Sequence, residues 1–70
     1  MSNKNLKKLG KNIKNIRKSL GLSQEQLAER IKKTRNYVGM IERAEINMPS
    51  SVIFEFAEAL KVEAKTFFEF

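Results

Sequence analysis

Apolar residues recur at spacings of three and four from early in the chain. Leu6, Leu9, Ile13, Ile16 and Leu20 form one stripe of a helix predicted to run to about Leu20, after a polar, frayed start at Met1 to Asn5. Lys7, Lys8, Lys11, Lys14 and Lys18 fill its other faces, and Gly21 is placed to close it in a left-handed cap. Ser23 and Gln26 then have the spacing of a capping box, which starts a second helix at Gln24 with Leu27, Ala28 and Ile31 on its inner face. Lys32 and Lys33 interrupt the pattern and Thr34 caps a third helix, roughly Arg35 to Arg43, so the turn between the two is about three residues long. That is the length of a helix-turn-helix, here about residues 23–43. Pro49 biases Met48 to an extended conformation, Ser50 or Ser51 can cap a fourth helix, and Ile53, Phe56, Ala57 and Leu60 give it an i, i+3, i+4, i+7 face. A brief fifth helix near Glu63 to Glu69 would return Phe67 or Phe68 to the core. The prediction is an all-α, five-helix domain occupying residues 1–70, with no repeat or linker.

Plotted at about 100° per residue, the third helix divides in two. Thr34, Tyr37, Val38 and Ile41 share one arc, and Arg35, Asn36, Gly39, Met40 and Arg43 share the other. The second arc has groups that major-groove readout uses, since Arg pairs bidentately with guanine and Asn with adenine. An ordinary solvated helix face has the same composition, so the wheel by itself leaves both readings open.

Charge changes the picture. The net charge is +6, but residues 1–20 hold seven cations and no acid, whereas residues 44–70 hold two cations and five acids. Such a dipole suits a polyphosphate at its basic end, with an anionic membrane surface as competitor. The lysine-rich first stripe also fits half a coiled coil or a membrane-surface helix, but it is short for one and lacks aromatic anchors for the other. Packing beneath the helix-turn-helix is the expected use.

Cys and His are both absent, which excludes disulfides, thiolate or imidazole metal sites and most nucleophile-base arrangements. Neither an enzyme nor a cofactor or metal protein is expected. No apolar run approaches about 18 residues, so a cytoplasmic protein with no membrane segment is expected.

Arg17 lies one residue past Ile16, close to the apolar stripe, and Glu42 flanks the packing face of the third helix. A buried Arg needs a partner, and Glu42 is the natural one unless both are simply exposed.

Taken together, Gln24, Leu27 and Ala28, then Val38, Ile41 and Glu42, then Pro49, Ala57, Leu60 and Val62 resemble the Cro and phage-repressor-type (XRE-like) helix-turn-helix DNA-binding family. The resemblance runs from about Leu6 to Phe68, and the segment TRNYVGMIER is also similar to the controller proteins of restriction-modification systems. It implies a repressor-type fold, a sequence-specific transcription regulator on double-stranded DNA, and an Arg17–Glu42 ion pair that sets the angle of the reading helix. It also implies base contacts from Arg35, Asn36 and Met40, and backbone contacts from Gln24, Thr34, Arg43 and Asn47. For Tyr37 a phosphate contact and simple packing stay open, as do close DNA approach and helix packing for Gly39. Met40 can touch a thymine methyl or merely cover apolar neighbours.

The chain departs from the family where Lys32 and Ala44 stand in place of common glycines. Either Lys32 adopts a left-handed conformation at some cost, or the turn is drawn one residue differently.

Ile46, Met48, Phe54, Phe67, Phe68 and Phe70 exceed what the predicted core faces need, and a homodimer interface in the acidic half is their expected use. The competing class is a protein-interaction module of the same fold, such as an antitoxin or co-regulator. An RNA binder is disfavoured, because the basic half has no aromatic platform beyond one Tyr.

Overall fold

The computed structural model describes residues 3–70, with side chains from Lys4 onward. Its elements are α1 (Asn3–Ser19), α2 (Gln24–Arg30), α3 (Arg35–Glu42), α4 (Ser50–Leu60) and a 3-10 helix (Ala64–Phe68). Four α-helices and one 3-10 helix thus stand where five helices were expected. The last element winds at about three residues per turn rather than 3.6. Of the start expected to fray, Asn3 to Asn5 are already helical, and Met1 and Ser2 lie outside the described residues.

The α2 start is a full capping box. Ser23 Oγ accepts from the Gln26 amide at 3.0 Å, and Gln26 Oε1 accepts from the Ser23 amide at 2.8 Å. Each α-helix ends through a left-handed residue: Gly21, Lys32, Ala44 and Lys61, with φ of 73°, 56°, 60° and 57°. After α2 the Lys33 amide donates to the Ala28 carbonyl at 2.9 Å, and after α3 the Glu45 amide donates to the Met40 carbonyl at 2.9 Å. These six-to-one bonds satisfy carbonyls that a helix end would otherwise leave open. Only the first of the four closures uses glycine, and the others accept a side chain in a conformation that costs about 1–2 kcal/mol. Helix α4 starts differently from the expectation. Pro49 is its N-cap, without a side-chain hydrogen bond, and Ser50 is already inside the helix.

The core joins Leu6, Leu9 and Ile13 of α1 to Leu27, Ala28 and Ile31, to Val38 and Ile41 of α3, to Met48, and to Ile53, Phe56, Ala57, Leu60 and Phe67. Of the α1 stripe, Ile16 is half-buried and Leu20 is exposed, because the helix ends at Ser19 and the turn carries Leu20 off the face. Met48 and Phe67, assigned above to a dimer surface, are core residues. The extended backbone around Pro49 turns Met48 inward, and the 3-10 winding selects Phe67 for the interior and leaves Phe68 outside. Asn12 anchors that last turn to α1, its Nδ2 donating to the carbonyls of Phe67 at 2.8 Å and Glu69 at 3.3 Å.

Candidate nucleic-acid interface

Helix α3 is the element most closely held. Thr34 Oγ1 caps it by accepting from the Tyr37 amide at 3.1 Å, and Val38 and Ile41 are completely buried beneath it. Its C-terminal turn rests on α1 at Gly10, where an added Cβ would sit 2.6 Å from the Ile41 carbonyl oxygen and 2.7 Å from that of Glu42. Only glycine permits this backbone approach, and it brings Arg17 within reach of Glu42.

Arg17 Nε donates to Glu42 Oε2 at 2.6 Å and Nη2 donates to Oε1 at 3.1 Å, a side-on bidentate pair with side chains 7% and 2% exposed. Both groups have further partners. Arg17 Nη1 donates to the Leu22 carbonyl at 2.7 Å, and Gln24 Nε2 donates to Glu42 Oε1 at 3.0 Å. One carboxylate therefore ties together α1, the first residue of α2 and the last residue of α3. Such a pair contributes little net stability against desolvation, but it specifies one geometry.

With the inner face committed, Arg35 and Asn36 are exposed on the outer arc and Met40 is half-buried beside them. Thr34 and Asn47 are exposed at the two ends of the helix, Gln24 is half-buried, and Tyr37 is half-buried at the edge of the packing face. The Lys33 ammonium lies 5.6 Å from the centre of the Tyr37 ring. Burial, then the Glu55 carboxylate, raises the Tyr37 hydroxyl above its ordinary pKa.

Arg43, just past the helix end, makes the second bidentate pair of the region. Its Nε donates to Glu45 Oε2 at 2.9 Å and its Nη2 to Oε1 at 3.2 Å, with side chains 54% and 51% exposed. The hydrogen bond and charge of Glu45 hold Arg43 above its usual pKa, and the hydrogen bond to Arg43 holds the Glu45 carboxyl below the ordinary range. Among the described residues no group of acidic side chains is arranged to hold a metal ion, and no helix is long and apolar enough to cross a membrane.

The family model described as helix-turn-helix matches residues 13–67. The chain belongs to the helix-turn-helix family. It is 42% identical over 52 residues to control protein C.SmaI of Serratia marcescens, an alignment covering 74% of this chain and 62% of that protein. The fold superposes on the restriction-modification controller protein C.AhdI from Aeromonas hydrophila with a TM-score of 0.86 at 38% identity, over 90% of this chain and 96% of that one. The clp gene regulator ClgR from C. glutamicum superposes with a TM-score of 0.84 over 87% of this chain and 79% of that one, at 21% identity. ClgR therefore shares the fold, C.AhdI shares fold and sequence, and C.SmaI shares sequence.

Within this helix-turn-helix scaffold, Phe54, Phe68 and Phe70 are exposed and Ile46 is half-buried, while Met48 and Phe67 are enclosed. The Lys8 ammonium lies 5.3 Å from the centre of the Phe70 ring. Sequence reasoning missed three residues that shape the region: Gly10, Asn12 and Glu45. Gly10 is buried at the edge of the α1 packing face, and a glycine inside a lysine-rich helix was the available signal.

Proposed function

We propose that this protein binds duplex DNA sequence-specifically through α3 and regulates transcription. One observation carries the reading: a buried Arg17–Glu42–Gln24 network fixes the angle of a helix whose outer arc presents Arg35, Asn36 and Met40. Arg35 pairs with a guanine, Asn36 with an adenine, and Met40 touches a thymine methyl. Thr34 and Asn47 at the helix ends, Gln24 and the Tyr37 hydroxyl serve phosphates, which fix register rather than sequence. The likeness to two controller proteins supports this assignment, and a cytoplasmic location accords with it.

The chain acts as a two-fold dimer. Its Cα extents are 28 × 22 × 20 Å, less than the roughly 34 Å that separates successive half-sites on one face of a duplex, so two copies are needed to read two half-sites. The surface we assign to the interface is the one around Phe54, Phe68 and Phe70, with Ile46 at its edge. Its residues come from the acidic half of the sequence, with Lys8 of α1 beside Phe70. Sedimentation at micromolar concentration gives twice the chain mass on this account. A species that stays monomeric and binds one half-site as tightly as two rejects the dimer.

Duplex binding across a salt series tests the main reading. Affinity for a sequence selected from a random pool falls steeply and linearly with the logarithm of salt concentration when phosphates are bound. A protein-interaction module of the same fold shows neither a preferred duplex nor that slope.

A further inference from the structure

Gly39 lies inside α3, where glycine disfavours helix formation, and helix packing does not explain it. The three heavy atoms nearest to a Cβ built there all belong to the Arg43 guanidinium: Nη1 at 2.8 Å, Nη2 at 3.4 Å and Cζ at 3.5 Å. Gly39 is buried because Arg43 lies over it. Arg43, the C-cap residue, therefore reaches back one turn over the outer arc at Gly39. Glu45 holds it there. The left-handed Ala44 turns the chain so that the Glu45 carboxylate meets the Nε and Nη2 edge of the guanidinium. The end-on edge, Nη1 with the second Nη2 hydrogen, is left for a bidentate acceptor.

We infer that Arg43 is a specificity-determining residue that reads a base edge, and that Glu45 is the positioning residue that aims it across Gly39. This rests on the DNA-binding reading and changes the role of Arg43 within it. A phosphate contact needs only a nearby positive charge, which the Glu45 carboxylate offsets. A base contact needs a guanidinium in one orientation, which a side-on carboxylate and a missing Cβ provide. The acceptor is a guanine, whose O6 and N7 match the free edge.

The experiment compares binding at one salt concentration to the duplex that the wild-type protein selects from a random pool, and to the unselected pool. Glu45→Gln keeps the shape and removes the charge. Its ratio of selected to unselected affinity is expected to fall about tenfold, with binding to the pool unchanged or tighter. Affinities that rise together, leaving the ratio intact, show that Glu45 only repels DNA and overturn the inference. Gly39→Ala displaces only the end of a flexible side chain. It is expected to hold or raise the melting temperature while lowering the ratio, and to have no further effect on the ratio in an Arg43→Ala background. A Gly39→Ala effect of equal size with and without Arg43 means that the Cβ obstructs the DNA itself, and the seat for Arg43 is rejected. Arg43→Ala that weakens both duplexes equally returns Arg43 to phosphate. A wild-type protein with no preference among duplexes fails at the earlier step, and the DNA-binding reading falls with the inference.

Discussion

Two Arg–Glu pairs flank the C-terminal end of α3, with the same side-on geometry and opposite surroundings. Arg17–Glu42 is enclosed and Arg43–Glu45 is half in water. Each is accompanied by a helical glycine. At Gly10 the space is filled by backbone carbonyls of α3, and at Gly39 by the movable end of a side chain. Identical chemistry therefore serves two purposes. Enclosed and backed by main chain, the first pair holds the reading helix to the body of the protein. The second leaves the fold almost untouched and governs what the helix presents to its partner. Burial decides the role, because an unpaired charge in the interior is expensive and one at the surface is solvated.

The largest effect that separates the two is on stability. Glu42→Ala leaves Arg17 charged and enclosed and removes the acceptor of Gln24, so a loss of about 3–5 kcal/mol is expected. That is comparable to the whole stability a domain of this size obtains from its core. Urea unfolding should show little or no native baseline for this variant, while Glu45→Ala keeps the wild-type midpoint. Similar midpoints for both variants would erase the distinction between the pairs.

Substitutions at the two glycines have smaller effects of opposite sign. Gly10→Ala places a methyl against two carbonyl oxygens that cannot move without shifting α3, and should destabilise by about 1–3 kcal/mol. Gly39→Ala should gain up to about 1 kcal/mol from helix propensity, because Arg43 can swing away. Thermal melts of the two variants check this. A destabilised Gly39→Ala would place rigid structure over α3 where the geometry has only a flexible guanidinium.

Features set by a few consecutive residues were legible in advance. The Ser23–Gln26 box, the Thr34 cap and the Gly21 closure each depend on side chains and backbone within one or two turns. The left-handed Lys32 belonged to one of two turn geometries the family pattern left open, and the hydrogen bonds around it select that one. The Arg17–Glu42 pair was legible only with the family resemblance, because a cation beside an apolar stripe can pair or simply stay exposed. Features set by tertiary approach were not. A glycine inside α1 marks a close approach but not which element makes it, and Asn12 resembles any polar position until the last turn packs beside it. The choice of Phe67 over Phe68 follows from 3-10 winding, which a period of 3.6 cannot foresee. Glu45 escaped notice because its pairing with Arg43 depends on the left-handed Ala44 between them, and no periodic pattern encodes that reversal.

Whether the outer arc of α3 reads bases is decided by Arg35→Ala. Titrated against the selected duplex and against random duplex, this variant should lose about 1–3 kcal/mol on the selected sequence and almost nothing on the random one. Equal losses on both would make Arg35 a phosphate contact and contradict the assignment of α3 as the reading helix.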